Sequence, residues 1–210
     1  LGAPGVGKGT QAERMARRLG CPHVSTGELF RAAIREGTPL GEKVREVISS
    51  GKLVSDDLTL AVVAERLGRP DCRDGYVLDG FPRNLVQAGL LEARLEKAGA
   101  ALDAVLLLSV PEGVLVRRLT SRRVCGACEA VYNVEQVPPR RAGVCDACGG
   151  ELCQREDDRE ETVRRRLVEY HRQTEALIGL YRQRGLLREV SGEFSVEETD
   201  KRLKEMLGQA

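Results

Sequence analysis

Apolar positions along the chain fall into two alternating kinds of segment. Short runs at 76–79 and 104–109 show no alternation and read as buried strands, the second continuous and of parallel-sheet type, and 187–190 reads as a last strand. Between them, apolar residues recur at helical spacing. Residues 10–19 predict a helix stopped at Gly20. Residues 56–67 predict another, capped by Ser55, with Leu58, Val62 and Val63 on its apolar face. Helices are also predicted at 87–97, at 112–122 behind Pro111, and at 196–207. Residues 157–184 predict one long helix with Val163, Leu167, Tyr170, Leu177 and Ile178 facing the core. A short strand at 23–25 leads into a turn and a helix stopped at Gly37, and a second helix at 40–49 ends at Gly51. Strands alternating with helices predict an α/β fold, a parallel sheet flanked by helices with right-handed crossovers. Residues 124–153 break the pattern with cysteines, glycines and Pro138-Pro139, and read as a small inserted module.

Composition narrows the function. A chain of 210 residues suits one domain with insertions. A net charge of +1 argues against a general nucleic-acid or membrane-surface binder. Three Phe, four Tyr and no Trp leave little for base stacking. The longest apolar run, 104–108, is too short to span a membrane, and no signal peptide is visible. A cytoplasmic location is expected.

The strongest chemical signal is Gly2-Ala3-Pro4-Gly5-Val6-Gly7-Lys8-Gly9-Thr10. Glycines at this spacing let backbone N–H groups converge on phosphate oxygens. Lys8 adds a charge and the following helix its positive end, which is the P-loop arrangement for a nucleoside triphosphate. A P-loop ordinarily follows a strand, and only Leu1 precedes this one; that strand is expected to be truncated rather than absent from the protein. The hydroxyl residue usual after the lysine is replaced by Gly9, with Thr10 one position later. Mg²⁺ is therefore expected to be held through water by a distant carboxylate. Asp79, ending an apolar strand, is the candidate.

Three further segments sharpen this reading: Ser25-Thr26-Gly27-Glu28, Asp79-Gly80-Phe81-Pro82-Arg83, and Asp157-Asp158 followed by Glu161-Thr162-Val163-Arg164-Arg165-Arg166-Leu167. In this order, with the P-loop, the chain resembles the adenylate kinases over essentially its whole length, in the long form with an inserted lid. The resemblance implies ATP + AMP ⇌ 2 ADP. It implies a P-loop core (1–24, 55–120 and 159–210), an AMP-binding helical insertion (25–54) and a lid (121–158), in a monomer that binds ATP, AMP and ADP.

Phosphoryl transfer of this kind needs two anionic substrates held in line, with charge neutralised and water excluded. By resemblance, Lys8, Arg83, Arg122, Arg155, Arg166 and Asp79 carry the chemistry. Gly5, Val6, Gly7, Lys8, Gly9 and Thr10 hold ATP, with Arg118, Arg122, Val131, Tyr132 and Phe194. On the AMP side stand Thr26, Arg31, Lys52, Leu53, Val54, Gly80, Phe81, Pro82, Arg83 and Gln87, with Arg155 and Arg166 reaching both phosphates. Arg118 and Arg122 are four apart and are expected to share a helix face. His23 and His171 are read as structural, without a catalytic partner. Other acceptors, UMP or CMP, remain open within the same class.

Seven cysteines, an odd number, cannot all pair internally. Cys125-x-x-Cys128 and Cys145-x-x-Cys148, sixteen residues apart, suit a tetrahedral Zn²⁺ closed by four thiolates. Two redox pairs and a nucleic-acid-binding zinc ribbon are the alternatives. Within the resemblance the metal staples the lid and leaves no ligand position for substrate. Cys21, Cys72 and Cys153 read as free thiols.

Overall fold

The computed structural model describes residues 1–208. The last two positions of the core span drawn above, 209 and 210, lie outside the described residues.

Helix α1 (Lys8–Leu19) begins at Gly7, whose φ of 100° is a left-handed conformation that favours glycine. It ends at Gly20, whose N–H closes onto the carbonyls of Ala16 and Arg17. Strand β1 (His23–Ser25) pairs in parallel with β2 (Val77–Asp79), with Ser25 opposite Asp79. Strand β3 (Val105–Ser109) pairs in parallel with β7 (Leu187–Ser191). The predicted parallel sheet is thus present as two pairs. Leu1 lies beside β3, its carbonyl accepting from Leu108 N–H at 3.1 Å and its amino group donating to the Leu106 carbonyl.

Helices α2 (Thr26–Arg35) and α3 (Pro39–Ser49) form a separate small unit around Phe30, Val44 and Val54. Helices α4 (Asp56–Leu67) and α5 (Leu85–Lys97) pack Val63, Leu91 and Leu95 around Phe81. Helices α6 (Glu112–Thr120), α7 (Glu160–Glu169) and α9 (Val196–Met206) join α1 over β3 and β7. The core there is Val6, Met15, Leu108, Leu115, Leu119, Val163, Leu167, Val190 and Leu203. Each fully buried aliphatic side chain contributes about 1.5–3 kcal/mol to holding these layers together. Among the described residues no helix is long and apolar enough to cross a membrane.

The lid is a three-stranded antiparallel sheet in the order β5–β4–β6, built from β4 (Arg122–Cys125), β5 (Val131–Asn133) and β6 (Leu152–Cys153). This corrects the predicted helix over 112–122. The helix stops at Thr120, and Arg122 opens β4, opposite Asn133. Arg118 and Arg122 therefore share no helix face. The pull of two antiparallel partners on Arg122–Cys125 overrides a helical pattern that local spacing alone suggests.

The long helix predicted over 157–184 is also interrupted. A short 3₁₀ turn, Glu156–Asp158, precedes α7 and is separated from it by Arg159 in an extended conformation. A wide π turn, Tyr170–Thr174, then separates α7 from α8 (Ala176–Gln183). At that turn the Thr174 hydroxyl donates to the Arg83 carbonyl at 2.7 Å, which ties the break to the loop after β2. Ser55 stands at the start of α4 without a side-chain cap bond.

Candidate active site

The P-loop wraps the start of α1, and no side chain caps that helix end. Its first-turn N–H groups and positive dipole end are therefore available to an anion. Lys8 folds back over the loop and donates from Nζ to the carbonyls of Gly2 and Ala3 at 2.8 and 2.9 Å. Burial strips solvent from its ammonium and brings its pKa down to about 8, despite the nearby Asp79 charge.

Asp79 stands at the carboxyl end of β2, its side chain 12 % exposed. A Cβ at Gly9 would sit 3.5 Å from Asp79 Oδ2, so the carboxylate closes directly over the P-loop. Burial works against ionisation, but the adjacent His23 and Lys8 outweigh it and hold the Asp79 carboxyl below its usual range. His23 is thus not isolated: its Nε2 lies 3.5 Å from Asp79 Oδ2. His171 faces Glu175 and Glu112 at the surface, away from this chemistry.

The loop after β2 is drawn tight. Gly80 has a φ of 76°, and a Cβ there would meet Thr26 Oγ1 at 2.9 Å and Arg83 Nη2 at 3.1 Å. Its carbonyl accepts from the Thr26 hydroxyl and from Arg83 Nε, both at 2.8 Å. Arg83 N–H donates to Gln87 Oε1 at 2.8 Å. Burial, together with the charge of Arg166, pulls Arg83 down to about 10, so it stays charged at neutral pH.

A second cationic wall is held by two buried carboxylates. Arg122 donates from Nε and Nη2 to Asp158 at 2.7 and 2.6 Å. Arg166 Nη1 reaches Asp157 Oδ2 at 3.0 Å and Asp158 Oδ1 at 3.3 Å. Arg155 is brought down to about 10 by burial and by the charges of Arg31 and Arg122, which places it in the same group. Burial also lowers Arg31. Like charges packed this closely are costly unless anions neutralise them. Asp157 and Asp158 supply two anions, and bound phosphates would supply more.

One cleft joins these features. Lys8, Asp79, Gly80, Phe81, Pro82, Arg83 and Arg166 line it, and so do Thr26, Arg31, Lys52, Leu53, Val54 and Gln87. The remaining predicted residues stand off this wall. Arg118 donates to the Gly192 carbonyl at 2.8 Å, beside the turn that carries Phe194. Phe194 is exposed, with the Arg202 guanidinium 3.9 Å over its ring. Val131 is exposed, and the Tyr132 hydroxyl is turned inward, accepting from Asp146 N–H at 2.8 Å and lying 3.5 Å from Cys145 Sγ.

The sulfurs of Cys125, Cys128, Cys145 and Cys148 all lie within 4.8 Å of one another, with Cys125–Cys148 at 3.4 Å and Cys128–Cys145 at 3.5 Å. This group can hold a metal ion. Cys21, Cys72 and Cys153 stand outside it, as free thiols.

Residues 1–186 match the family model described as adenylate kinase. An adenylate kinase of Moorella thermoacetica is 52 % identical over 196 residues, covering 93 % of this chain and 90 % of its own. One from Symbiobacterium thermophilum is 50 % identical, covering 98 % and 95 %, and one from Archaeoglobus fulgidus is 46 % identical, covering 99 % and 95 %. The chain belongs to the adenylate kinase family.

Family membership accounts for a cleft with cations on both sides. It does not by itself point to the residues that aim those cations. Asp157 and Asp158 are legible in the sequence only as part of a motif, yet they position Arg122 and Arg166. Asp56 belongs to no motif, although Gln87 and Asn84 both donate to it at 2.8 Å. Its one local signal was an acidic residue in the first turn of a predicted helix, which a dipole interaction would explain equally well.

Proposed function

We propose that the cleft is where this adenylate kinase moves the terminal phosphoryl group of ATP reversibly onto AMP, giving two ADP. The observation that carries the assignment is the convergence of Lys8, Arg83 and Arg166 on one cleft, with Asp79 between the P-loop and the acceptor loop. The P-loop backbone and Lys8 hold the ATP phosphates, with Arg118 and Phe194 toward its adenine, and Val131 and Tyr132 touching it from the lid. Arg31 and Arg83 hold the AMP phosphate. Thr26 and Gln87 contact its base, and Lys52, Leu53 and Val54 line its pocket. Arg122, Arg155 and Arg166 neutralise the charge spread over the transferring group. A phosphate oxygen is already an anionic nucleophile, so no side-chain base is required. Rate comes from alignment, charge stabilisation and exclusion of water as 25–54 and 121–158 close over the core of 1–24, 55–120 and 159–210.

Mg²⁺ fits beside Asp79, the carboxylate over the P-loop, held through water because Gly9 offers no hydroxyl; when bound it neutralises phosphate charge. Zn²⁺ fits Cys125, Cys128, Cys145 and Cys148. Four thiolates at about 2.3 Å from a tetrahedral zinc stand roughly 3.8 Å apart, near the spacing found here. With four protein ligands the ion is structural. The chain acts as a monomer, and its reading as a cytoplasmic protein rests on thiols arranged for metal rather than for disulfides.

The test is a coupled assay with Mg-ATP as donor and AMP, UMP, CMP and GMP as acceptors. AMP should be preferred. Lys8→Ala and Arg83→Ala should each lower turnover by about two orders of magnitude or more while the protein stays folded. Near-normal turnover in either folded variant would remove that residue from the mechanism.

A further inference from the structure

Gln87 is 1 % exposed and lines the cleft, yet both ends of its amide are already engaged. Its Oε1 accepts from the Arg83 backbone N–H at 2.8 Å. Its Nε2 donates to Asp56 Oδ1 at 2.8 Å. Asp56, in the first turn of α4, does not itself line the cleft, so it acts from behind. Its Oδ1 also accepts from Asn84 Nδ2 at 2.8 Å, and Asn84 Oδ1 in turn caps α5 by accepting from Gln87 N–H at 2.8 Å.

A free glutamine amide can turn over, exchanging its oxygen for its nitrogen at little cost. This one cannot. An ionised carboxylate only accepts and a backbone N–H only donates, so turning Gln87 over would set nitrogen against N–H and oxygen against carboxylate. Both contacts would be lost, and buried groups would stand unpaired. What remains for a bound base is one N–H and one lone pair, in fixed places.

We infer that Asp56 is a positioning residue that sets the acceptor specificity of this kinase by locking the Gln87 amide. The inference rests on the reading of Gln87 as the contact to the acceptor base. A 6-aminopurine offers a ring-nitrogen acceptor beside an amino donor. A 6-oxopurine offers the reverse, a ring N–H beside an oxygen acceptor, in nearly the same shape. A glutamine free to turn over serves both. A locked one serves the first and meets the second with donor against donor and acceptor against acceptor, the kind of mismatch that rejects a near-isostere strongly.

The experiment compares AMP with inosine monophosphate as acceptors, using Mg-ATP and the full chain, for wild type, Asp56→Asn, Asp56→Glu and Gln87→Ala. Asparagine can present either end of its own amide, so D56N removes one of the two contacts that forbid the turned-over Gln87 and leaves only the Arg83 N–H against it. The AMP-to-IMP ratio of kcat/KM should then fall about tenfold, the factor carried by the loss of one hydrogen bond of ordinary strength. The change should lie in KM for AMP and in a gain with IMP, with kcat for AMP little altered. D56E keeps the carboxylate and should restore most of the ratio. If D56N does not fold, Asp56→Ser reads the same ratio. A purely structural role for Asp56 would lower the melting temperature and depress both acceptors equally, leaving the ratio unmoved, and that result overturns the inference. An unmoved ratio in D56N alongside a lost ratio in Q87A would show that Gln87 reads the base without the lock. An unmoved ratio in Q87A would sink the reading of Gln87 itself.

Discussion

Arg122 grips Asp158 at two points, Nε to Oδ2 at 2.7 Å and Nη2 to Oδ1 at 2.6 Å, across 36 residues of chain. The Asp158 side chain is fully buried and also meets Arg166 at 3.3 Å. Removing it leaves Arg122 without its anion and Arg166 with Asp157 alone. Asp158→Ala should therefore cost about 3 kcal/mol in urea unfolding, and should lower kcat because Arg122 and Arg166 lose their aim. Asp158→Asn, which keeps the shape, should be damaged to a similar extent. A change no larger than the roughly 0.5 kcal/mol typical of surface substitutions would refute this account.

Lys8 makes activity and stability respond to pH in opposite directions. Its folded pKa, about 8, is below the ordinary 10.5 because of burial. Only the protonated form attracts phosphate, so kcat/KM for ATP should fall as pH rises through about 8. The kcat profile should fall later, since bound phosphate favours the ammonium. Between pH 8 and 10.5 the unfolded chain binds more protons at this residue than the folded one, so the contribution of Lys8 to stability rises with pH in that window. Steady-state profiles beside urea midpoints at the same pH values would separate the two trends. A kcat/KM profile flat well beyond pH 8 would contradict the assignment.

The lid has little apolar core of its own: Cys125, Cys145 and Leu152, with Ala130 and Tyr132 partly covered. A sheet that small needs a staple. Metal analysis should find about one equivalent of zinc. Chelation should lower the melting temperature, and the apo protein should retain part of its activity, because the metal does not touch the reacting groups. Full stability after complete metal removal is the contrary outcome.

Glu129 is, among the described residues, the one non-glycine with positive φ, at 63°. Beside Cys128, it forms an ion pair with Arg35 at the end of α2, joining the lid to the unit of α2 and α3. Its backbone conformation costs about 1 kcal/mol, and an exposed pair returns at most about that much. Glu129→Gly should leave the melting temperature unchanged or raise it, yet weaken closure. KM for AMP should rise by up to about fivefold, the equivalent of 1 kcal/mol. The wild-type KM should rise with salt more than the variant's. Identical salt dependence in both proteins would argue that the pair plays no part in closure.

Local sequence was enough for the features that chemistry confines to a few neighbouring residues. The P-loop glycines, the loop from Asp79 to Arg83, the two C-x-x-C pairs and the apolar run of β3 are each legible because one turn, strand or knuckle needs those residues side by side. Tertiary structure alone decided what depends on distant partners. Arg122 leaves its helix because β5 recruits it into a sheet. The predicted helix starts only at Glu160, after Asp157 and Asp158 turn to Arg122 and Arg166, and its π turn at Tyr170–Thr174 is where the Thr174 hydroxyl reaches the Arg83 carbonyl. Asp56 gains its meaning only where α4 meets the start of α5. Periodicity and propensity describe a residue's own segment; charge pairing and hydrogen-bond direction depend on what the fold brings to it from elsewhere.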